Sequence, residues 1–338
     1  MSYDINDIET LEFPECVQVR PGMYLGECGL QKNVCIREIT DNSVTEIIKG
    51  YGDIVVIDFF EDGTVRVRDN GRGVPCNVDR ETGQTGIEKC LASLHSGGNF
   101  SNDPGKVGPG THGVGGACCN AMAEIFEVDV YRNGQHYRET FSNGLVKDKL
   151  KREKIKDEEI FGVPSKEYSG TTITFKFNND FFSEDDLIDV DDIINRLRYT
   201  VYTVPGVTIK INDFTRSPED GGGEYEFKND GGIEGMLDYT TKSDAIVTGS
   251  NGDYEKKGIF HISTNAKMKE KVAVLKDGKS SVREQTINIP IEVAFKFSEN
   301  DGSSLQSFAN TIHTTDGGVH QDALKRALVD AFGKLAKK

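Results

Sequence analysis

Four groups of residues have the types and spacing that chemistry needs. Glu38, Asn42 and Glu46 fall four apart within NVCIREITDNSVTEIIK (33–49), which places them on one face of a helix. A carboxylate one turn from a carboxamide suits activation of a water by Glu38. Asn42 would add a neutral oxygen to a magnesium ion there. The same spacing also describes a solvated helix face. The second group, Asp69-Asn70-Gly71-Arg72-Gly73-Val74-Pro75, follows the strand-like TVRVR. Its glycines permit tight turns and close approach to a flat ligand. Asp69 is placed to accept a hydrogen bond, for example from an exocyclic amine, although a hairpin loop without ligand fits the same residues. The third group, GKVGPGTHGVG (105–115), has five glycines in eleven positions before a helix. Successive main-chain N–H groups running into a helix form an anion site, and Lys106 adds charge for a polyphosphate. The plain alternative is a surface loop, and Lys106 lies too far upstream for a Walker A motif. The fourth is Thr171 in SGTT, whose hydroxyl can bond a base at the start of a strand. Together the four describe a nucleotide pocket for ATP with magnesium, in which Glu38 acts as general base.

These groups need a scaffold, and the chain supplies a readable one. Residues 1–30 form an arm that ends in a Pro21-Gly22 turn. Helix periodicity over 33–49 stops at Gly50, and strands at 54–60 and 64–68 flank Glu61-Asp62-Gly63. A short helix at 86–95, a loop at 96–116 and a helix at 117–123 follow. Next come a hairpin at 125–131 and 135–141 about Asn133-Gly134, a strand at 171–177, a helix at 184–201 capped by Ser183, and a strand at 206–212. A polar, glycine-rich break then marks a linker at 216–226 between a first domain, 1–215, and a second, 227–338. A strand-like run at 224–228 leads into the second domain, with a helix at 231–239, strands near 257–263, 269–276 and 284–298, and an amphipathic helix at 317–336. The pattern is α+β in both domains.

Composition narrows the class. The 338 residues suffice for two domains, and 55 acidic against 40 basic residues give a net charge of −15. A uniformly basic nucleic-acid binder is excluded, but a local basic groove is not. The seven cysteines show no C-x-x-C pair, which predicts a reducing, cytoplasmic setting. No signal peptide opens the chain, and no run approaches the roughly 18 apolar residues of a membrane span, so no membrane partner is expected.

With these motifs in hand, the chain resembles the ATPase half of the B subunit of bacterial type IIA DNA topoisomerases, gyrase and topoisomerase IV, over almost all of 1–336. RPGMYLG (20–26) is similar to that family's RPGMYIG, EITDNS (38–43) to its E-V-x-D-N-x helix, and DNGRGVP (69–75) to its adenine loop. GTHGVG (110–115) resembles its G-L-H-G-V-G lid, and FANTIHTTDGGVH (308–320) its transducer signature. The resemblance implies a Bergerat-fold (GHKL) ATPase α/β sandwich followed by a partial ribosomal-S5-domain-2-like transducer. It implies Glu38 as catalytic base, Asn42 as magnesium ligand, and Asp69 as the adenine acceptor aided by Thr171. Glu46, on the helix face of Glu38 and Asn42, would belong to the nucleotide-binding set. Arg72, Gly73, Pro75 and Arg132 would line the adenine pocket. Gly97, Gly98, Lys106, Gly108, Gly110, Thr111, His112, Gly113, Val114 and Gly115 would hold the phosphates. Tyr3 would cross to a second copy and touch its nucleotide. ATP would thus drive a homodimer that closes transiently around a DNA duplex. Cleavage would reside in a TOPRIM-bearing portion and a gyrase A- or topoisomerase IV A-like subunit.

Several positions depart from the family pattern. Pro109 replaces a usual lid glycine and removes an N–H. Asn99 stands for a common lysine, and Gln18 and Val19 for basic residues. Lys325 and Arg326 on the last helix are the candidate DNA contacts. The family's Gln-Thr-Lys loop does not occur, which predicts a fragment or one piece of a split subunit, with slow hydrolysis. A nucleotide-holding dimerisation or regulatory module without turnover is the alternative reading.

Overall fold

The computed structural model describes residues 10–26, 29–96, 113–241, 258–276, 279–298 and 303–337. They form two compact units. The first runs to Val201 and takes up Gly206–Asn229; the second comprises Tyr202–Pro205 and the residues from Asp230 onward.

The first unit opens with short helices α1 (Glu15–Val19) and α2 (Gly22–Leu25), then the long α3 (Gln31–Ile48). Strands β1 (Ile54–Phe59) and β2 (Thr64–Asp69) precede α4 (Gly86–Leu91) and α5 (Gly115–Ala121). Then come β3 (Ala123–Arg132), β4 (Gln135–Ser142), β5 (Leu145–Glu153), the two-residue strands β6 (Glu159–Ile160) and β7 (Val163–Pro164), and β8 (Gly170–Phe177). Helix α6 (Val190–Thr203), β9 (Thr208–Asp213) and β10 (Gly223–Lys228) complete it. Eight strands make one sheet in the order β10-β9-β1-β2-β8-β3-β4-β5, and only the β1–β9 pair is parallel. The hairpin at Asn133-Gly134 has positive φ at both residues (52° and 66°), as a right-twisted pair of strands requires.

Strand alternation sets up the site. Val65, Val67 and Asp69 are the buried positions of β2, and Thr171, Ile173, Phe175 and Phe177, together with Gly170 at its start, those of β8. Asp69 and Thr171 therefore continue the core-facing rows of their strands. Helix α3 lies against this sheet and α5, and Ile36, Ile39 and Val44 are buried.

Several elements of the first unit differ from the sequence reading: α1 and α2 lie within the expected arm, α4 ends at Leu91 rather than 95, α5 spans Gly115–Ala121 rather than 117–123, and β5, β6 and β7 have no counterpart in it. The strand expected to lead into the second domain, 224–228, is β10, an edge strand of the first sheet paired with β9. The glycine-rich residues before it form a turn inside the first unit, with Gly221 at φ +88°. The helix expected from residue 184 begins only at Val190. Residues before it are diverted to cap α3: the fully buried Asp186 accepts from the N–H groups of Gln31 (3.0 Å) and Lys32 (3.2 Å). Asn33 also exchanges two hydrogen bonds with the Asp189 main chain. A carboxylate at a helix N-terminus satisfies orphan donors and the helix dipole together. Strand β5 has no apolar alternation, being exposed along almost its whole length, and lysines at such an edge oppose strand addition.

The second unit contains α7 (Gly232–Thr240), a long antiparallel ribbon of β11 (Phe260–Lys276) and β12 (Lys279–Phe295), the small pair β13 (Phe308–Ala309) and β14 (Ile312–His313), and α8 (Val319–Leu335). The three separate strands expected there are this one hairpin. The two strands pair residue for residue from Phe260–Phe295 to Lys276–Lys279, and main-chain hydrogen bonds do not need apolar side chains, so the polar KMKEK stretch does not interrupt the ribbon. Phe260 stacks on Phe295 at 5.1 Å, and Phe297 meets both edge-on.

Candidate ATP site

One cavity of about 420 Å³ opens between α3, the end of β2, β8 and the start of α5. It gathers Glu38, Asn42, Glu46, Asp69, Arg72, Gly73, Pro75, Gly113, Val114, Gly115, Arg132 and Thr171. Twelve of the residues singled out from sequence thus line one space. Tyr3, Gly97, Gly98, Lys106, Gly108, Gly110, Thr111 and His112 lie outside the described residues, as do Asn99 and Pro109.

Asp69 sits at the inner wall, 5% exposed. Its Oδ1 accepts from the N–H groups of Gly71 (2.9 Å) and Thr171 (3.4 Å), and its Oδ2 from the Ser43 hydroxyl (2.8 Å). An ionised carboxylate has about four acceptor positions, so one remains on Oδ2. Burial pushes the Asp69 carboxyl above the ordinary range, and its hydrogen bonds to Gly71, Ser43 and Thr171 pull it back. The Thr171 hydroxyl accepts from the Val74 N–H (3.2 Å), fixing the glycine loop against β8. Gly73 must be glycine: φ is +74°, and a Cβ would lie 2.9 Å from both the Tyr131 carbonyl and Val130.

The mouth is held by ion pairing. Arg72 donates to both Glu46 oxygens (2.9 and 2.8 Å) and lies over Tyr51 at 3.7 Å. Arg132 donates to the Gly73 carbonyl at 2.7 Å. The Glu46 carboxylate is thereby engaged with Arg72. At the other end Gly115 begins α5 so close to Glu38 that a side chain there would collide with the carboxylate. Asp41, beside Asn42 in sequence, points away and pairs with Arg196 of α6 at 2.7 Å. Gln18, at a position that is usually basic, ties α1 to the carbonyls of Ala121 (2.9 Å) and Asn143 (3.0 Å).

Sequence reasoning missed Ser43, the donor to Asp69, and the apolar wall of Ile39, Val74, Leu91 and Ile173. Ser43 was within reach, since it follows Asn42 at one turn from Ile39 and Ile47 on the sheet-facing side of α3. Among the described residues no group of three or more His, Cys, Asp or Glu converges on a metal position. A magnesium ion here would draw most ligands from phosphate and water, with Asn42 as the neutral protein ligand. The carboxamide beside one carboxylate fits that hard cation. No helix among the described residues is long and apolar enough to cross a membrane.

A buried acid at the end of β2, an acid-amide helix and the Gly113–Gly115 entry to a second helix, carried on this sheet, have the arrangement of a GHKL-type ATPase. The match agrees: residues 33–180 fit the family of histidine kinase-, DNA gyrase B-, and HSP90-like ATPases, and residues 232–338 fit the DNA gyrase B family. The DNA gyrase B protein of Thermotoga maritima is 34% identical over 337 residues, and that of Thermus thermophilus 32% over 339. These alignments cover 99% and 100% of this chain and 47% of each relative. The crystal structure of the 43K ATPase domain of Thermus thermophilus gyrase B in complex with an aminocoumarin superposes with a TM-score of 0.69 at 28% identity, covering 96% of this chain and 73% of that one. The chain belongs to the gyrase B and topoisomerase IV B family, as its ATPase module: a Bergerat-fold domain followed by a transducer-like region. It spans about half the length of the relatives it matches.

Proposed function

We propose that the cavity binds ATP with magnesium and hydrolyses it, with Asp69 accepting the adenine amine and Glu38 polarising the attacking water. The observation that carries this reading is the Asp69 carboxylate. It is buried, held by three donors, left with one acceptor position, and walled by apolar side chains suited to a flat base. Glu38 lies on the same helix face two turns away from Glu46, beside the first residues of α5, where phosphates would lie against main-chain N–H groups. Asn42, between them, would hold the magnesium, which supplies charge neutralisation for the phosphates when bound. Glu46 and Arg72 close the mouth as a pair rather than meeting the ligand separately.

Family membership supports a wider role. In it, nucleotide binding draws two copies together and closes a gate on a DNA duplex, while cleavage belongs to a TOPRIM-bearing portion and a gyrase A-like subunit. The test of the site is a binding titration with ATP on the parent and on Asp69→Ala. Loss of an acceptor to a partly buried amine is expected to weaken binding by at least tenfold, about 1.5–3 kcal/mol. Equal affinity would remove residues 69–75 as the base site.

A further inference from the structure

Behind the cavity, outside its lining, Tyr168 is 4% exposed, and its hydroxyl donates to the main-chain carbonyl of Asp69. That carbonyl is directed toward β8, where a side chain on Gly170 would collide with it. The β2–β8 ladder, however, ends one residue earlier, at Arg68 opposite Thr172. On its other side residue 69 still pairs with Val55 of β1. The main chain of Asp69 is therefore held by the sheet on one flank and by a phenol on the other.

The phenol is itself clamped. Tyr131 meets its ring edge-on at 5.3 Å and Phe161 at 5.9 Å. The Arg68 guanidinium lies over Phe161 at 5.4 Å. Tyr131 stacks on His136 at 4.4 Å, and His136 bonds Asp129 at 2.7 Å. Phe161 sits in the turn between β6 and β7 at φ +53°, a backbone region that bulky residues avoid. A residue held in that conformation with its ring against Tyr168 marks the excursion 159–164 as a support rather than a spacer.

We propose that Tyr168 is a positioning residue for base selection: its hydroxyl fixes the Asp69 main chain so that the free acceptor of the carboxylate stays aimed at the exocyclic amine of the base. The inference rests on Asp69 being the adenine acceptor. Its consequence is specificity. Inosine triphosphate carries a carbonyl where ATP carries the amine, so it gains nothing from a well-placed Asp69.

The experiment is equilibrium binding of ATP and of inosine triphosphate to the full chain, to Tyr168→Phe and to Asp69→Ala, with thermal melting on the same samples. Tyr168→Phe keeps the ring and removes only the hydroxyl. ATP affinity is expected to fall about fivefold, with inosine triphosphate unchanged, so that the preference for ATP falls by the same factor. A purely structural hydroxyl would lower the melting temperature and leave the preference intact, which would overturn the proposal. Phe161→Leu retains the hydroxyl but loosens its clamp, and is expected to reduce the preference by a smaller factor. If Asp69→Ala abolishes the preference while Tyr168→Phe retains it, the role of Tyr168 fails alone. If Asp69→Ala retains it, the adenine assignment fails and this inference with it.

Discussion

Adding one methyl group at Gly115 should separate binding from turnover. The residue is buried at the first position of α5, and its φ lies outside the left-handed region, so alanine strains no backbone there. A Cβ would nevertheless come within 2.5 Å of both Cγ and Cδ of Glu38. Because both atoms are involved, rotating the terminal carboxylate does not clear the clash. The side chain has to withdraw as a whole. Restoring an ordinary contact of 3.4 Å moves it by about 1 Å, and misplacing a reacting group by that much costs about 100-fold, or about 2.7 kcal/mol of transition-state stabilisation. Nothing at the Asp69 end changes, so ATP affinity should stay within about threefold, near 0.7 kcal/mol. Alanine is also the better helix former by about 1 kcal/mol, so thermal stability should not fall steeply. The assay is steady-state ATP hydrolysis with an ATP titration and a melting curve on Gly115→Ala. A kcat within threefold of the parent, or a loss confined to affinity, would refute the placement of Glu38 at the reacting end.

Thr85 caps α4 in a capping box and also donates to the buried Glu139 at 2.7 Å. Thr85→Val should cost about 3 kcal/mol in urea unfolding, about 1 from the cap and the rest from a buried Glu139 oxygen that loses its donor, while the other oxygen keeps the Leu150 N–H. A loss below 1 kcal/mol would show that Glu139 finds another donor. Burial pushes the Cys76 thiol up to about 11. Its thiolate fraction at pH 8 is then about 100-fold below that of an ordinary cysteine, and alkylation followed by mass spectrometry should be slower by that factor, recovering as pH rises toward 11. Ordinary reactivity would mean that the partial burial of Cys76 does not shield its thiol.

Much of the site was legible because its chemistry is written in local spacing. Glu38, Asn42 and Glu46 share a face at any helical geometry, and the glycines at 71 and 73 announce a loop that passes close to something. Asp69 and Thr171 were legible singly, but their meeting was not. It depends on β2 and β8 being neighbours in a sheet whose order no local pattern encodes. Ser43 and Tyr168 escaped for the same reason, since each acts on Asp69 from 26 and 99 residues away. Elements failed to read where long-range contacts overrode local preference. Residues 184–189 have helical character but are held at the start of α3, which Asp186 caps while the Asp189 main chain pairs with the Asn33 side chain. The glycine run at 221–223 looks like a linker, but it is a turn that returns β10 to the first sheet. Strand β5 has too little apolar alternation to be seen at all and exists because β4 offers it an edge.

The central claim is that one cavity both holds ATP and hydrolyses it through Glu38. Its most direct test is magnesium-dependent ATP hydrolysis over a protein concentration series, with nucleotide binding recorded on the same samples and Glu38→Ala as the comparison. The account predicts turnover that rises per protomer with concentration and disappears in Glu38→Ala, while both proteins bind ATP alike. Tight binding with no turnover above that of Glu38→Ala would contradict it and leave a module that holds nucleotide without consuming it.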